Sequence, residues 1–122
     1  MLAALLGGGS GAVVGEVDGQ TCVAIDDMID TAGTISKAVD ALYDAGAKEV
    51  IVAATHAVFS GPAADRLRNS RVSEVVVANT LPIPEESRFP NLTVLSIAPL
   101  LARAIREVFE DGSVTSLFDG HS

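Results

Sequence analysis

Apolar residues in this chain fall into short runs, and between the runs they recur every three or four positions. Thr21-Cys22-Val23-Ala24-Ile25 is the first clear run, closed by Asp26-Asp27. Its length and its lack of polar alternation predict a strand buried on both faces. Ile35, Ala38, Val39, Leu42 and Ala45 then recur at helical spacing, with Ser36, Lys37, Asp40 and Asp44 between them. That pattern predicts an amphipathic helix, and Gly46 stands where a left-handed C-terminal cap belongs. Val50-Ile51-Val52-Ala53-Ala54 reads as a second buried strand. Ser60-Gly61-Pro62 followed by Ala63, Ala64 and Leu67 marks a short helix start, where proline is tolerated. Val75-Val76-Val77-Ala78 is a third strand and Leu92-Thr93-Val94-Leu95-Ser96 a fourth, with a proline-bearing loop at 79–90 between them. Pro99 opens a last helix with the stripe Leu101, Ala104, Ile105, Val108 and Phe109, stopped by Gly112, and residues 114–118 read as a short final strand.

Nearly charge-free strands alternating with helices predict an α/β fold: three layers, a mostly parallel sheet, helices on both faces. The crossovers are expected to be right-handed. Ahead of this regular region stands Gly7-Gly8-Gly9-Ser10-Gly11. Such a composition favours flexible coil, and no strand-then-helix pattern surrounds it to suggest a dinucleotide fingerprint. Residues 1–12 are therefore expected as a flexible N-terminal segment, and 13–122 as one domain.

Length and composition agree with that division. A chain of 122 residues with 48% hydrophobic and 20% charged residues suits one soluble globular domain. A net charge of -8 argues against nucleic acid and anionic membrane surfaces as partners. Arg66, Arg68 and Arg71 form a local basic cluster, read as a solvated helix end. The single cysteine, Cys22, lies inside an apolar run and is expected as a buried thiol, which suits a reducing cytoplasm. No apolar stretch approaches the ~18 residues of a spanning helix. The opening Met1-Leu2-Ala3-Ala4-Leu5-Leu6 lacks the basic flank of a secretory signal. A soluble, cytoplasmic protein is the expectation.

Candidate chemistry concentrates at residues 26–34, between the first strand and the first helix. Ligands of open parallel sheets bind outside the carboxyl ends of strands. Thr31, Gly33 and Thr34 bring small residues, two hydroxyls and free backbone N–H groups to a helix N-terminus, which suits a phosphate. Asp26 and Asp27 would repel that phosphate, so they must face sugar hydroxyls or a magnesium ion. A sugar phosphate meets both demands. The plainer alternative is that Asp30 or Thr31 serves only as a helix cap, which leaves the Asp26-Asp27 pair without a purpose.

The string Asp26-Asp27-Met28-Ile29-Asp30-Thr31-Ala32-Gly33-Thr34 resembles the phosphoribosyl diphosphate loop of the type I phosphoribosyltransferase fold, and in particular that of ribose-phosphate pyrophosphokinases. The likeness continues through Thr55-His56-Ala57-Val58-Phe59-Ser60-Gly61-Pro62-Ala63 and Asn79-Thr80-Leu81-Pro82-Ile83-Pro84. It extends into Leu95-Ser96-Ile97-Ala98-Pro99-Leu100-Leu101 and Ser113-Val114-Thr115-Ser116-Leu117-Phe118. The resemblance is to the C-terminal half of that family. It implies transfer of the diphosphoryl group of ATP to ribose 5-phosphate, with Mg2+, giving phosphoribosyl diphosphate and AMP. It implies that Asp26 and Asp27 bind the ribose hydroxyls and metal, and that Asp30, Thr31, Ala32, Gly33 and Thr34 cradle the 5-phosphate. It further implies a regulatory nucleotide site at Ser113, Thr115 and Phe118, and a homo-oligomer.

The same resemblance places the ATP contacts, a metal-binding histidine and the basic catalytic loop in an N-terminal half not found in this sequence. ATP is thus expected as a partner only together with that half. Lys37 and Lys48 are the only lysines, and neither position suits a mobile catalytic loop. No catalytic residue is assigned, and the chain alone is expected to be inactive. His56 is read as structural or supporting, and His121 as solvated. The alternatives are a non-catalytic sugar-phosphate-binding or regulatory partner of a full-length homologue and, ranked last, a small phosphoribosyltransferase.

Overall fold

The computed structural model describes residues 2–6, 12–14 and 16–110. β1 (Leu2–Leu6), β2 (Ala12–Val14), β3 (Thr21–Ile29), β4 (Glu49–Ala57), β5 (Glu74–Ala78) and β6 (Leu92–Leu95) form a six-stranded sheet in the order β2-β1-β3-β4-β5-β6. β1 and β2 are antiparallel, and every other neighbouring pair is parallel. α1 (Gly33–Asp44) joins β3 to β4, and α2 (Ala63–Arg68) joins β4 to β5. A 3-10 turn at Glu85–Ser87 precedes β6, and α3 (Ala98–Phe109) follows it. The α/β class and the mostly parallel sheet are those the alternating pattern predicts.

Every second residue of the central strands is fully buried: Cys22 and Ala24, Val50 and Val52, Val75 and Val77. These join one cluster with Ile35, Val39 and Leu42 of α1 and Ala63 and Leu67 of α2. Cys22 is thus the buried thiol expected, and burial pushes its pKa up. Residues on the other face, Val23, Ile51, Ala53 and Val76, are only half-buried. The apolar runs that read as buried on both sides therefore alternate in burial among the described residues. α3 shows the same openness, with Leu101 52% and Ile105 58% exposed.

α1 ends as its sequence predicts. Gly46 has φ 101, its N–H donates to Tyr43 O (3.0 Å), and the Ala47 N–H donates to Leu42 O (3.0 Å). This paired closure satisfies two terminal carbonyls and needs a residue tolerant of positive φ.

Three boundaries differ from the pattern. Leu2–Leu6, inside the segment 1–12 expected as flexible, is strand β1, because its backbone finds partners in parallel along Thr21 to Ile25 of β3. β3 runs on through Asp26, Asp27 and Met28 to Ile29, and β4 runs on through His56 to Ala57. Pairing between these two strands, Asp26 with Ala54 and Met28 with His56, carries polar residues that periodicity assigned to a loop. The glycine stretch 7–11, the helix stop at Gly112, the final strand at 114–118 and His121 lie outside the described residues.

Candidate functional site at the carboxyl end of β3

Among the described residues, β1 pairs with β3 as far as Ile25, and from Asp26 onward β3 has β4 as its one strand neighbour. That opening lets Asp27 and Met28 stand exposed at the sheet edge. The chain then dips back: Ile29 is buried, and its carbonyl accepts from the Val58 and Phe59 N–H groups (both 3.0 Å). The Asp30 carbonyl accepts from Ser60 N–H (2.8 Å). Phe59 makes this closure in the left-handed region, φ 50, while buried against Phe89 with ring centroids 6.2 Å apart. A bulky residue there carries strain of roughly 1–3 kcal/mol, tolerated where packing over-determines the backbone and common at functional sites.

A second left-handed residue forms the loop itself. Ala32, φ 66 and ψ 11, is the residue that caps α1, and no side chain caps that helix end. The N–H groups of the first turn are therefore open donors at the positive end of the helix dipole. A cavity of about 220 Å³ sits on this loop, and its lining is the single continuous stretch 26–35. Asp26, Asp27, Asp30, Thr31, Ala32, Gly33 and Thr34, the residues singled out from sequence, all line it.

The two adjacent carboxylates have unlike electrostatics. Asp26 Oδ1 accepts from the Asp27 N–H (2.8 Å), and Asp27 Oδ1 accepts from the Met28 N–H (2.8 Å). Desolvation raises the Asp26 pKa, and its neighbour Asp27 raises it further. Asp27 is lowered, first by its hydrogen bond with Asp26, then by the Met28 N–H, with a smaller contribution from His56. One acid is thus readily ionised and the other holds its proton longer, as interacting pairs do. Among the described residues no group of three or more His, Cys, Asp or Glu could hold a metal ion. Asp26 and Asp27 still fit magnesium, which commonly takes one or two protein carboxylates and completes its shell from substrate oxygens and water.

Two further side chains reach this region: His56, which the sequence reads as structural or supporting, and Arg66, which it reads only as part of a solvated helix end. His56 Nδ1 lies 2.7 Å from Thr80 Oγ1, and the Thr80 hydroxyl donates to Thr55 O (3.3 Å). A Thr80 hydroxyl that donates to Thr55 O accepts from the Nδ1–H of His56. Arg66 Nη1 donates to Thr31 O (3.1 Å), joining α2 to the loop across 35 positions of sequence. No local spacing signals such a contact. All three arginines of the basic cluster are exposed yet partnered. Arg68 pairs with Asp65 (2.7 Å), and Arg71 pairs with Asp40 (3.3 Å) and stacks over Tyr43 (4.8 Å). Ser113, Thr115 and Phe118 lie outside the described residues. Among the described residues no helix is long and apolar enough to cross a membrane.

A family model described as the phosphoribosyl synthetase-associated domain matches residues 10–119. A ribose-phosphate pyrophosphokinase of Streptomyces coelicolor is 67% identical over 107 residues, covering 88% of this chain and 33% of the relative. The Mycobacterium leprae ribose-phosphate pyrophosphokinase is 65% identical over 113 residues, covering 93% and 35%. The crystal structure of phosphoribosylpyrophosphate synthetase from Mycobacterium smegmatis superimposes with a TM-score of 0.76 at 59% identity, covering 90% of this chain and 37% of that one. The chain spans about a third of the length of the curated relatives it matches.

Proposed function

The chain belongs to the phosphoribosyl synthetase-associated domain family, and from that premise we propose that it is the C-terminal half of a ribose-phosphate pyrophosphokinase, the part that holds ribose 5-phosphate. The observation that carries this reading is the cavity built wholly from residues 26–35, with acids at one end and uncapped helix N–H groups at the other. In the proposed pose, the N–H groups of the Asp30 to Thr34 turn and the positive end of α1 receive the 5-phosphate. Asp26 and Asp27 accept hydrogen bonds from the ribose hydroxyls. The same two carboxylates would hold magnesium, which would supply positive charge against the phosphoryl groups. The chain's own share of the reaction is orientation: it presents the 1-hydroxyl of the sugar to a diphosphoryl donor, a contribution made by positioning.

ATP would be held by an N-terminal half such as the longer relatives have room for, and phosphoryl transfer needs the cationic groups that such a half would bring. The chain alone is therefore read as inactive and cytoplasmic, working in a homo-oligomer, with Ser113, Thr115 and Phe118 contributing to a regulatory nucleotide site between subunits. A second reading, a non-catalytic sugar-phosphate-binding partner of a full-length homologue, draws on the exposed apolar stripe of α3.

Calorimetric titration of ribose 5-phosphate with Mg2+ into the folded chain tests the proposal. Binding tighter than ~1 mM, about 4 kcal/mol, is expected. It should be lost in Asp27→Ala, which removes an acceptor for the ribose hydroxyls, and in Gly33→Val, whose Cβ would stand 3.2 Å from Arg66 Nη1 and 3.7 Å from Thr31 Oγ1. No heat in a folded wild-type sample, or equal heat in both variants, overturns it. Adding a separately made N-terminal half distinguishes the two readings, because restored turnover is expected only of a catalytic half.

A further inference from the structure

α2 is short, and its arginines read from sequence as ordinary surface charge. Arg66, itself exposed, nevertheless bonds a backbone carbonyl on another segment, the one belonging to Thr31 (3.1 Å). That carbonyl heads the Thr31–Ala32 peptide, and Ala32 is the left-handed residue that opens α1. In a trans peptide the C=O and the following N–H point in opposite directions. A guanidinium that holds the Thr31 carbonyl toward α2 therefore aims the Ala32 N–H away from α2. The same contact supports a non-glycine residue in the left-handed conformation that L side chains disfavour. Gly33 completes the fit, because a Cβ there would stand only 3.2 Å from Arg66 Nη1.

We propose that Arg66 is a positioning residue for the 26–35 cavity: its bond to Thr31 O orients the Thr31–Ala32 peptide so that the Ala32 N–H serves as an anion donor. The inference rests on the reading that this loop binds a sugar phosphate, and it adds the device that presets the loop. Arg66 acts through the peptide and need not touch the ligand. Its exposed hydrogen bond contributes little to global stability, so effects on the loop and on folding separate cleanly.

The test uses the whole chain and three variants: Arg66→Met, which removes donor and charge, Arg66→Gln, which keeps a neutral donor, and Arg66→Lys, which keeps a charged one. Two readouts are taken, ribose 5-phosphate affinity with Mg2+ by calorimetry, and the backbone amide resonances of Thr31, Ala32, Gly33 and Thr34 in the free protein. Arg66→Met is expected to weaken binding about tenfold, equivalent to 1.4 kcal/mol, and to shift the Ala32 and Gly33 amides while the thermal midpoint stays put. Arg66→Lys should recover part of both effects. Arg66→Gln should recover less, since its donor sits on a shorter stem. Unmoved amides in Arg66→Met overturn the proposal, whatever the affinity does. A loss of affinity fully restored by Lys with the amides unmoved assigns Arg66 a long-range charge effect instead. If the wild-type chain binds no ribose 5-phosphate, the functional reading fails, and the amide shifts alone decide whether Arg66 sets the loop.

Discussion

At the scale of single residues, the consecutive acids Asp26 and Asp27 carry opposing consequences for stability and function. Asp26 has its pKa raised by desolvation and by Asp27, so its ionised form is disfavoured in the fold. Its contribution to stability is present below the unfolded carboxylate pKa and is lost as pH rises through the higher folded value. Asp27 is lowered, so its contribution is present above the unfolded pKa and is lost as pH falls through the folded one. Asp26→Asn removes the disfavoured charge without changing the shape of the side chain. The expected result is a thermal midpoint raised by ~1–3 °C at pH 7, a gain that disappears in acid where wild-type Asp26 is itself protonated. Ribose 5-phosphate binding should fall in the same variant, the usual conflict between a functional charge and stability. A lower midpoint at pH 7 would show that Asp26 is a structural acid. These residues were legible in sequence because their chemistry is local: acids, hydroxyls and a glycine within nine positions. Arg66 was not, because its contact with Thr31 spans 35 positions and exists only once α2 lies beside α1.

Among the elements, hydrophobic periodicity located β3 to β6 and all three described α-helices, and it missed β1, which pairs in parallel with β3, and its antiparallel neighbour β2. It misjudged where β3 and β4 stop, for a physical reason. Periodicity reports which side chains are buried, whereas a strand continues as long as its backbone finds a partner. β3 and β4 keep pairing past Ala54, and the loop expected at Asp26 begins in fact after Ile29. Nor does an apolar pattern disclose the left-handed Phe59, which fastens the segment after β4 to the end of β3. The cap of α1 is the opposite case, since glycine at that position has one strong explanation. Gly46→Ala should destabilise the chain by about 1–3 kcal/mol. The left-handed backbone disfavours alanine, and the added Cβ would collide with Asp18. Denaturant unfolding measures this directly, and an unchanged midpoint would mean that the turn after α1 rearranges freely. Because α1 also presents its N-terminal turn to the cavity, the same variant tests how firmly the site depends on the far end of its helix.

For the whole molecule, among the described residues, one face of the sheet is covered and the other is open. α1 and α2 complete the core on one face, while the opposite face presents a shallow apolar hollow of about 270 Å³ lined in part by Ile25, Ala53, Val76 and Leu95. On α3, Leu101, Ile105 and Val108 follow helical spacing, yet each is at least half exposed. The sequence predicted that stripe correctly and could not say what covers it, because amphipathicity identifies a face without naming its partner. A stripe of large apolar residues left in water often marks an interaction surface, and the chain spans about a third of its relatives' length. The isolated chain is therefore expected to self-associate. Its net charge of -8 opposes that association by mutual repulsion. Added salt screens the repulsion and leaves apolar burial intact, so the apparent mass in light scattering should rise with both concentration and ionic strength. Changing Leu101 and Ile105 together to lysine should return a monomer without lowering the thermal midpoint, because neither side chain is in the core. Should the doubly substituted chain still associate, the open sheet face is the adhesive surface and α3 is not. A wild-type chain that stays a monodisperse monomer in high salt would mean that these apolar surfaces tolerate water, and the case for an absent partner segment would lose its structural support.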